Sequence, residues 1–69
     1  MLKNTFVMAK KVVTAANKHF HTKEMRAFFE HGQWWVTNHK TGAQYSVNDA
    51  EGIGTTNGFD FEEVTPAQD

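Results

Sequence analysis

Cysteine is absent from this chain, and proline, serine, arginine, leucine and isoleucine each occur once among its 69 residues. Each scarcity excludes something. Without cysteine there is neither a disulfide nor a thiolate ligand, the usual staples of a small domain, and the composition suits a reducing, cytoplasmic compartment. Ser46 stands alone with no glycine-framed elbow, so serine-nucleophile chemistry has no motif to rest on. No segment approaches the ~18–20 consecutive apolar residues of a membrane span. The start of the chain, with Lys3, Lys10 and Lys11, lacks the continuous apolar stretch and cleavage site of a secretory signal, so no leader and no membrane association are expected. With one leucine and one isoleucine, the core falls to six Phe, six Val and two Trp. That set suits a small sheet crossed by a helix and does not suit a leucine-rich bundle.

What remains is enough for one domain over residues 1–69. A chain this short buries only ~60% of the surface its unfolded form exposes, so association is expected to complete it, with a homodimer as the simplest case. The formal net charge of −1 conceals an asymmetry. Residues 1–26 carry six cations against Glu24, a net of +5, and residues 27–69 carry Lys40 against seven carboxylates, a net of −6. Two surfaces of opposite sign bear on partners and self-association.

The first segment, residues 4–20, has helical spacing. Leu2, Phe6, Ala9, Val13, Ala16 and Phe20 define an apolar face that Met8, Val12 and Ala15 widen, with Asn4 or Thr5 as N-cap. Thr22 and Glu24 then suit a new start and Gly32 a stop, which predicts a short second helix over 23–31 with Met25, Phe28 and Phe29 on one face. The competing reading is a strand from Met25 to Glu30 turning at His31-Gly32. Helix propensity across Lys23–Ala27 favours the helix. Strands are expected over 33–38, 43–48 and 59–64, joined by a hairpin at residues 39–42 and a glycine-rich loop at 49–58, with residues 65–69 frayed beyond the last strand. The order α-α-β-β-β describes an α+β domain: an N-terminal amphipathic helix, a short second helix and a three-stranded antiparallel sheet. The helix is expected to cover the face bearing Tyr45, Val47, Phe59 and Phe61.

Little in the sequence demands catalysis. Four histidines without thiolates do not make a zinc site, and neither metal nor cofactor is expected. The glycine-rich loop has G-x-G-x-x-x-G spacing, precedes a strand and sits beside Asp49 and Glu51, so it is no phosphate cradle. Trp34 and Trp35 say more. Adjacent strand residues point to opposite faces, so one tryptophan faces the core and the other is left for a second layer or a partner. Lys3, Lys10, Lys11 and Lys18 line the polar side of the first helix and, with Lys23 and Arg26, form the footprint a nucleic acid would use.

The stretches Gly32-Gln33-Trp34-Trp35-Val36, Thr41-Gly42, Asn48-Asp49-Ala50-Glu51-Gly52 and Gly58-Phe59-Asp60-Phe61-Glu62 resemble the small single-domain accessory proteins encoded by phages and prophages. This likeness spans residues 32–64 and implies a protein that binds and disables a host protein in the bacterial cytoplasm. The leading expectation is thus a non-enzymatic, phage-type inhibitor or regulator that occludes a host protein through Trp34 or Trp35 together with Asp60, Glu62 and Glu63. A nucleic-acid-binding regulator using the basic helix is the alternative. A small metal-independent nuclease, drawing on His21, Lys23, Arg26, Glu30 and His31, comes third.

Overall fold

The computed structural model describes residues 3–49 and 58–64. One helix, α1 (Phe6–Phe20), precedes four strands: β1 (Met25–Glu30), β2 (Gln33–Asn38), β3 (Gln44–Asp49) and β4 (Phe59–Val64). All neighbours are antiparallel and spatial order follows chain order, so the sheet is a four-stranded meander with α1 on one face. The α+β class holds. The expected second helix does not form, because its residues make a fourth strand.

The cause is the turn at His31-Gly32. Both residues have positive φ, 56° and 72°, the type I′ geometry whose twist matches a two-residue hairpin. That turn folds Met25–Glu30 back on β2 in full register, from Glu30 opposite Gln33 to Met25 opposite Asn38. Ladder bonds and the burial of Met25 outweigh the modest helix propensity of the segment. The next connection, residues 39–42, closes with Gly42 at φ 84°, while Asn38 Oδ1 accepts from the N–H groups of Lys40 and Thr41. The expected strands at 33–38 and 59–64 form as such, and the middle one shifts by one residue to Gln44–Asp49. The glycine-rich loop lies outside the described residues except for its ends, Asp49 and Gly58, as do residues 65–69.

Helix α1 is bounded by local chemistry. Thr5 Oγ1 accepts from the N–H of Met8 at 3.0 Å, an N-cap in extended conformation. At the other end His21 turns into the left-handed region (φ 54°, ψ 50°). Its N–H donates to Lys18 O and that of Thr22 to Asn17 O, a Schellman stop. Asn17 Oδ1 accepts the N–H of Met25 at 3.0 Å, tying the helix to the first strand.

The buried stripe of α1 is Val12, Ala15 and Ala16, with Met8, Ala9 and Phe20 packed beside it. These all belong to the expected face, and Phe6 is its exception: it stands about 120° around the helix from Val12 and is 78% exposed, while Leu2 lies outside the described residues. The small Ala15 and Ala16 let the backbone approach a sheet surface of bulky residues. Met25, Ala27 and Phe29 of β1, Trp34 and Val36 of β2, Tyr45 and Val47 of β3, and Phe59 and Phe61 of β4 form that surface. Tyr45, Val47, Phe59 and Phe61 lie under the helix as anticipated.

Candidate functional site

The second face of the sheet has no layer over it among the described residues. Strand alternation and register place three rows there: Arg26, Thr37, Gln44 and Val64; then Phe28, Trp35, Ser46 and Glu62; then Glu30, Gln33, Asn48 and Asp60. The central row carries the apolar surface. Phe28 and Trp35 are cross-strand partners whose rings lie nearly parallel, 12° apart in plane with centroids separated by 6.4 Å. Trp35 Nε1 donates to Glu30 O at 2.9 Å, which fixes the indole over the β1–β2 hairpin. Both rings remain half-buried. Side-chain polar groups surround them: Gln33 Nε2 donates to Val47 O and Asn48 Oδ1, Thr37 Oγ1 to Ala43 O, and Ser46 Oγ to Glu62 O. Charge on this face is mostly negative, Glu30, Asp60 and Glu62 against Arg26 alone.

The five residues expected to bind a protein therefore separate. Trp35, Asp60 and Glu62 share the open face. Trp34 does not: it is 4% exposed, packed edge-on against Phe29, and its Nε1 donates to Lys3 O at 3.0 Å. A side chain so enclosed belongs to the core. Glu63 falls on the helix side of β4, opposite Tyr45, and is exposed there. Phe28 was missed as a site residue, and Glu30 was named only for the nuclease reading, because their segment read as helix. The signal that would have found them is the alternation of Met25, Ala27 and Phe29 with Arg26, Phe28 and Glu30.

The six cations of the nucleic-acid alternative also divide. Lys10, Lys11 and Lys18 are exposed on α1, Lys3 precedes it, Lys23 lies in the bend before β1, and Arg26 alone stands on the open sheet face. The lysines and the aromatic platform are thus on opposite layers. The nuclease candidates are spread along β1: His21 and Lys23 precede it, Arg26 and Glu30 point from its open face, and His31 lies in the turn beyond it. His21 and His31 thus flank a strand of six residues, roughly 20 Å long at 3.3–3.4 Å per residue.

A concavity of about 370 Å³ lies between α1 and β4 and is lined by Thr14, Ala15, Lys18, His19, His21, Phe59 and Phe61. The His19 ring packs edge-on against Phe20 at 4.6 Å and also meets Phe61 at 5.1 Å. Its partners are the rings of the core, and the helix C-terminus beside it disfavours an anion. No group of three or more metal-ligating side chains occurs among the described residues. Nor is any helix among them long and apolar enough to cross a membrane. Comparison with protein-family models, curated proteins and solved structures finds no match to this chain.

Proposed function

We propose that this chain is a non-enzymatic protein-binding module that takes a basic segment of a partner protein on its open sheet face. In keeping with the likeness to phage-encoded accessory proteins, it acts by occluding that partner. One observation carries the reading: Trp35, stacked on Phe28 and anchored to Glu30 O, stands mid-sheet with Glu30, Asp60 and Glu62 around it. A guanidinium or ammonium laid on the exposed indole face gains a cation–π contact while its charge meets the carboxylates. The rigid, part-desolvated aromatic supplies the anchor and the acids supply orientation and on-rate. A nucleic acid is served less well, because stacking and phosphate neutralisation would have to come from the same side, and only Arg26 is cationic there.

The test is a capture experiment comparing wild type with Trp35→Ala and Glu62→Lys, each checked for native circular dichroism. A stoichiometric partner held by wild type, lost by Trp35→Ala and weakened by Glu62→Lys and by added salt supports the reading. A partner that both variants retain unchanged overturns it.

A further inference from the structure

We infer that the exposed edge of β1 joins the β1 edge of a second copy, the two strands running antiparallel about a two-fold axis at Phe28, to give one continuous eight-stranded sheet. This inference is independent of the partner proposed above.

Backbone parity makes the edge legible. The N–H of His39 donates to Glu24 O, so Glu24 and, alternating along the strand, Arg26, Phe28 and Glu30 turn their backbone groups toward β2. Met25, Ala27 and Phe29 turn theirs outward. Asn17 Oδ1 already takes the outward N–H of Met25. Among the described residues, nothing bonds the outward groups of Ala27 and Phe29. An exposed edge of this kind is a template for another strand unless charge, proline or a covering element guards it. β4, the opposite edge, carries Asp60, Glu62 and Glu63, and a second β4 beside it would oppose carboxylate to carboxylate. β1 has no such guard between Arg26 and Glu30.

Register then follows from symmetry. An axis at Ala27 would set Ala27 against itself and require the outward N–H of Met25, which Asn17 occupies. An axis at Phe29 would leave Ala27 facing the turn residue His31. An axis at Phe28 pairs Ala27 with Phe29 of the second copy, and Phe29 with Ala27 of that copy, so the four outward groups of Ala27 and Phe29 on each strand are all used, those of Met25 being already bonded to Asn17 and Arg26. The same register sets Arg26 opposite Glu30 of the second copy, twice by symmetry. Within its own chain Arg26 faces Thr37 and donates only to Met25 O, and Glu30 faces Gln33, so neither forms an ion pair among the described residues. The charges are thus complementary only across the axis, and a two-fold contact requires that kind of self-complementarity. The apolar match agrees. Phe6, Val13 and Asn17 share one flank of α1 by helical spacing, and Asn17 places that flank over the β1 edge. Beside a second copy, the 78%-exposed Phe6 would face its counterpart's helix.

The absence of native cysteine gives a clean test. In Phe28→Cys the only thiols are those at the axis, a pair not joined by ladder bonds and so of disulfide-forming proximity. Mild oxidation is expected to yield a covalent dimer, whereas Ser46→Cys, on the same face but two strands away, yields little. In sedimentation of the otherwise native chain at on the order of tens of micromolar, wild type is dimeric. Arg26→Glu or Glu30→Arg raises the dissociation constant about tenfold or more. The double exchange Arg26→Glu/Glu30→Arg restores it. Monomeric wild type, or a double variant as weak as the singles, overturns the inference. If the dimer forms while capture of a basic partner fails, the edge inference stands and the proposed function falls.

Discussion

Trp34 and Trp35 are consecutive, chemically identical and end on opposite sides of one sheet. Trp34 packs under α1, edge-on to Phe29, with its indole N–H on Lys3 O. Trp35 lies on the side that no described element covers, parallel to Phe28, with its indole N–H on Glu30 O. Each is satisfied by a backbone carbonyl, so polar satisfaction does not distinguish them. What distinguishes them is the second layer. The helix-side residue is buried in the core at 4% exposure, and its outer neighbour is only half-buried. A single amphipathic helix covers one face of the four-stranded sheet, and among the described residues no element covers the other.

Substitutions should widen that contrast or erase it. Trp34→Ala has the largest expected effect, about 3–5 kcal/mol from the lost ring and the cavity it leaves. Against total stability of ~5–15 kcal/mol for a domain, urea titration should show a population largely unfolded or shifted to a much lower midpoint. Trp35→Ala removes a half-exposed ring and an aromatic stack of about 0.5–1.5 kcal/mol. It should therefore leave a cooperative urea transition only slightly displaced. Equal losses at the two positions would mean that the open face is covered.

Asn17→Ala strips the helix–strand tie at the Met25 N–H and is expected to cost about 1–2 kcal/mol, read as a lower thermal midpoint and faster amide exchange at Met25. The smallest effect has the opposite sign. His31→Asn places the residue favoured at a positive-φ type I′ position beside Gly32 and should raise stability by several tenths of a kcal/mol, on the order of 0.5. A fall in midpoint would contradict the turn geometry that makes β1 a strand.

Much of this layout was legible from alternation. Residues 33–38 and 59–64 read as strands because large apolar residues recur at every second position, and the separation of the two tryptophans followed from the same period. The segment 23–31 was not legible for a physical reason. Phe28, an apolar residue on the uncovered face, breaks the in–out pattern and, with Met25 and Phe29, imitates a helical i, i+3, i+4 face. The turn that decides the matter is His31-Gly32, without the Asn-Gly or Asp-Gly signature of such hairpins. Phe6 misled for a related reason. Spacing identifies a broad apolar face without saying which part of it meets the sheet, and the part around Val12, Ala15 and Ala16 does so, leaving Phe6 at the exposed margin. Of the site, Trp35, Asp60 and Glu62 were identifiable from the sequence. Their neighbours Phe28 and Glu30 depended on recognising β1.

The meander order has a kinetic consequence. Every strand pairs with its neighbour in sequence, so the sheet can grow by successive hairpin additions, each closing a short loop. Docking of the chain's first turns is the non-local event. The Trp34–Lys3 bond spans 31 residues and forms only when helix and sheet are both present. A sheet dominated by local contacts favours rapid assembly. The step that senses the whole chain is the arrival of the N-terminal segment on the β2 indole, so Trp34 fluorescence should report the final commitment to the native state.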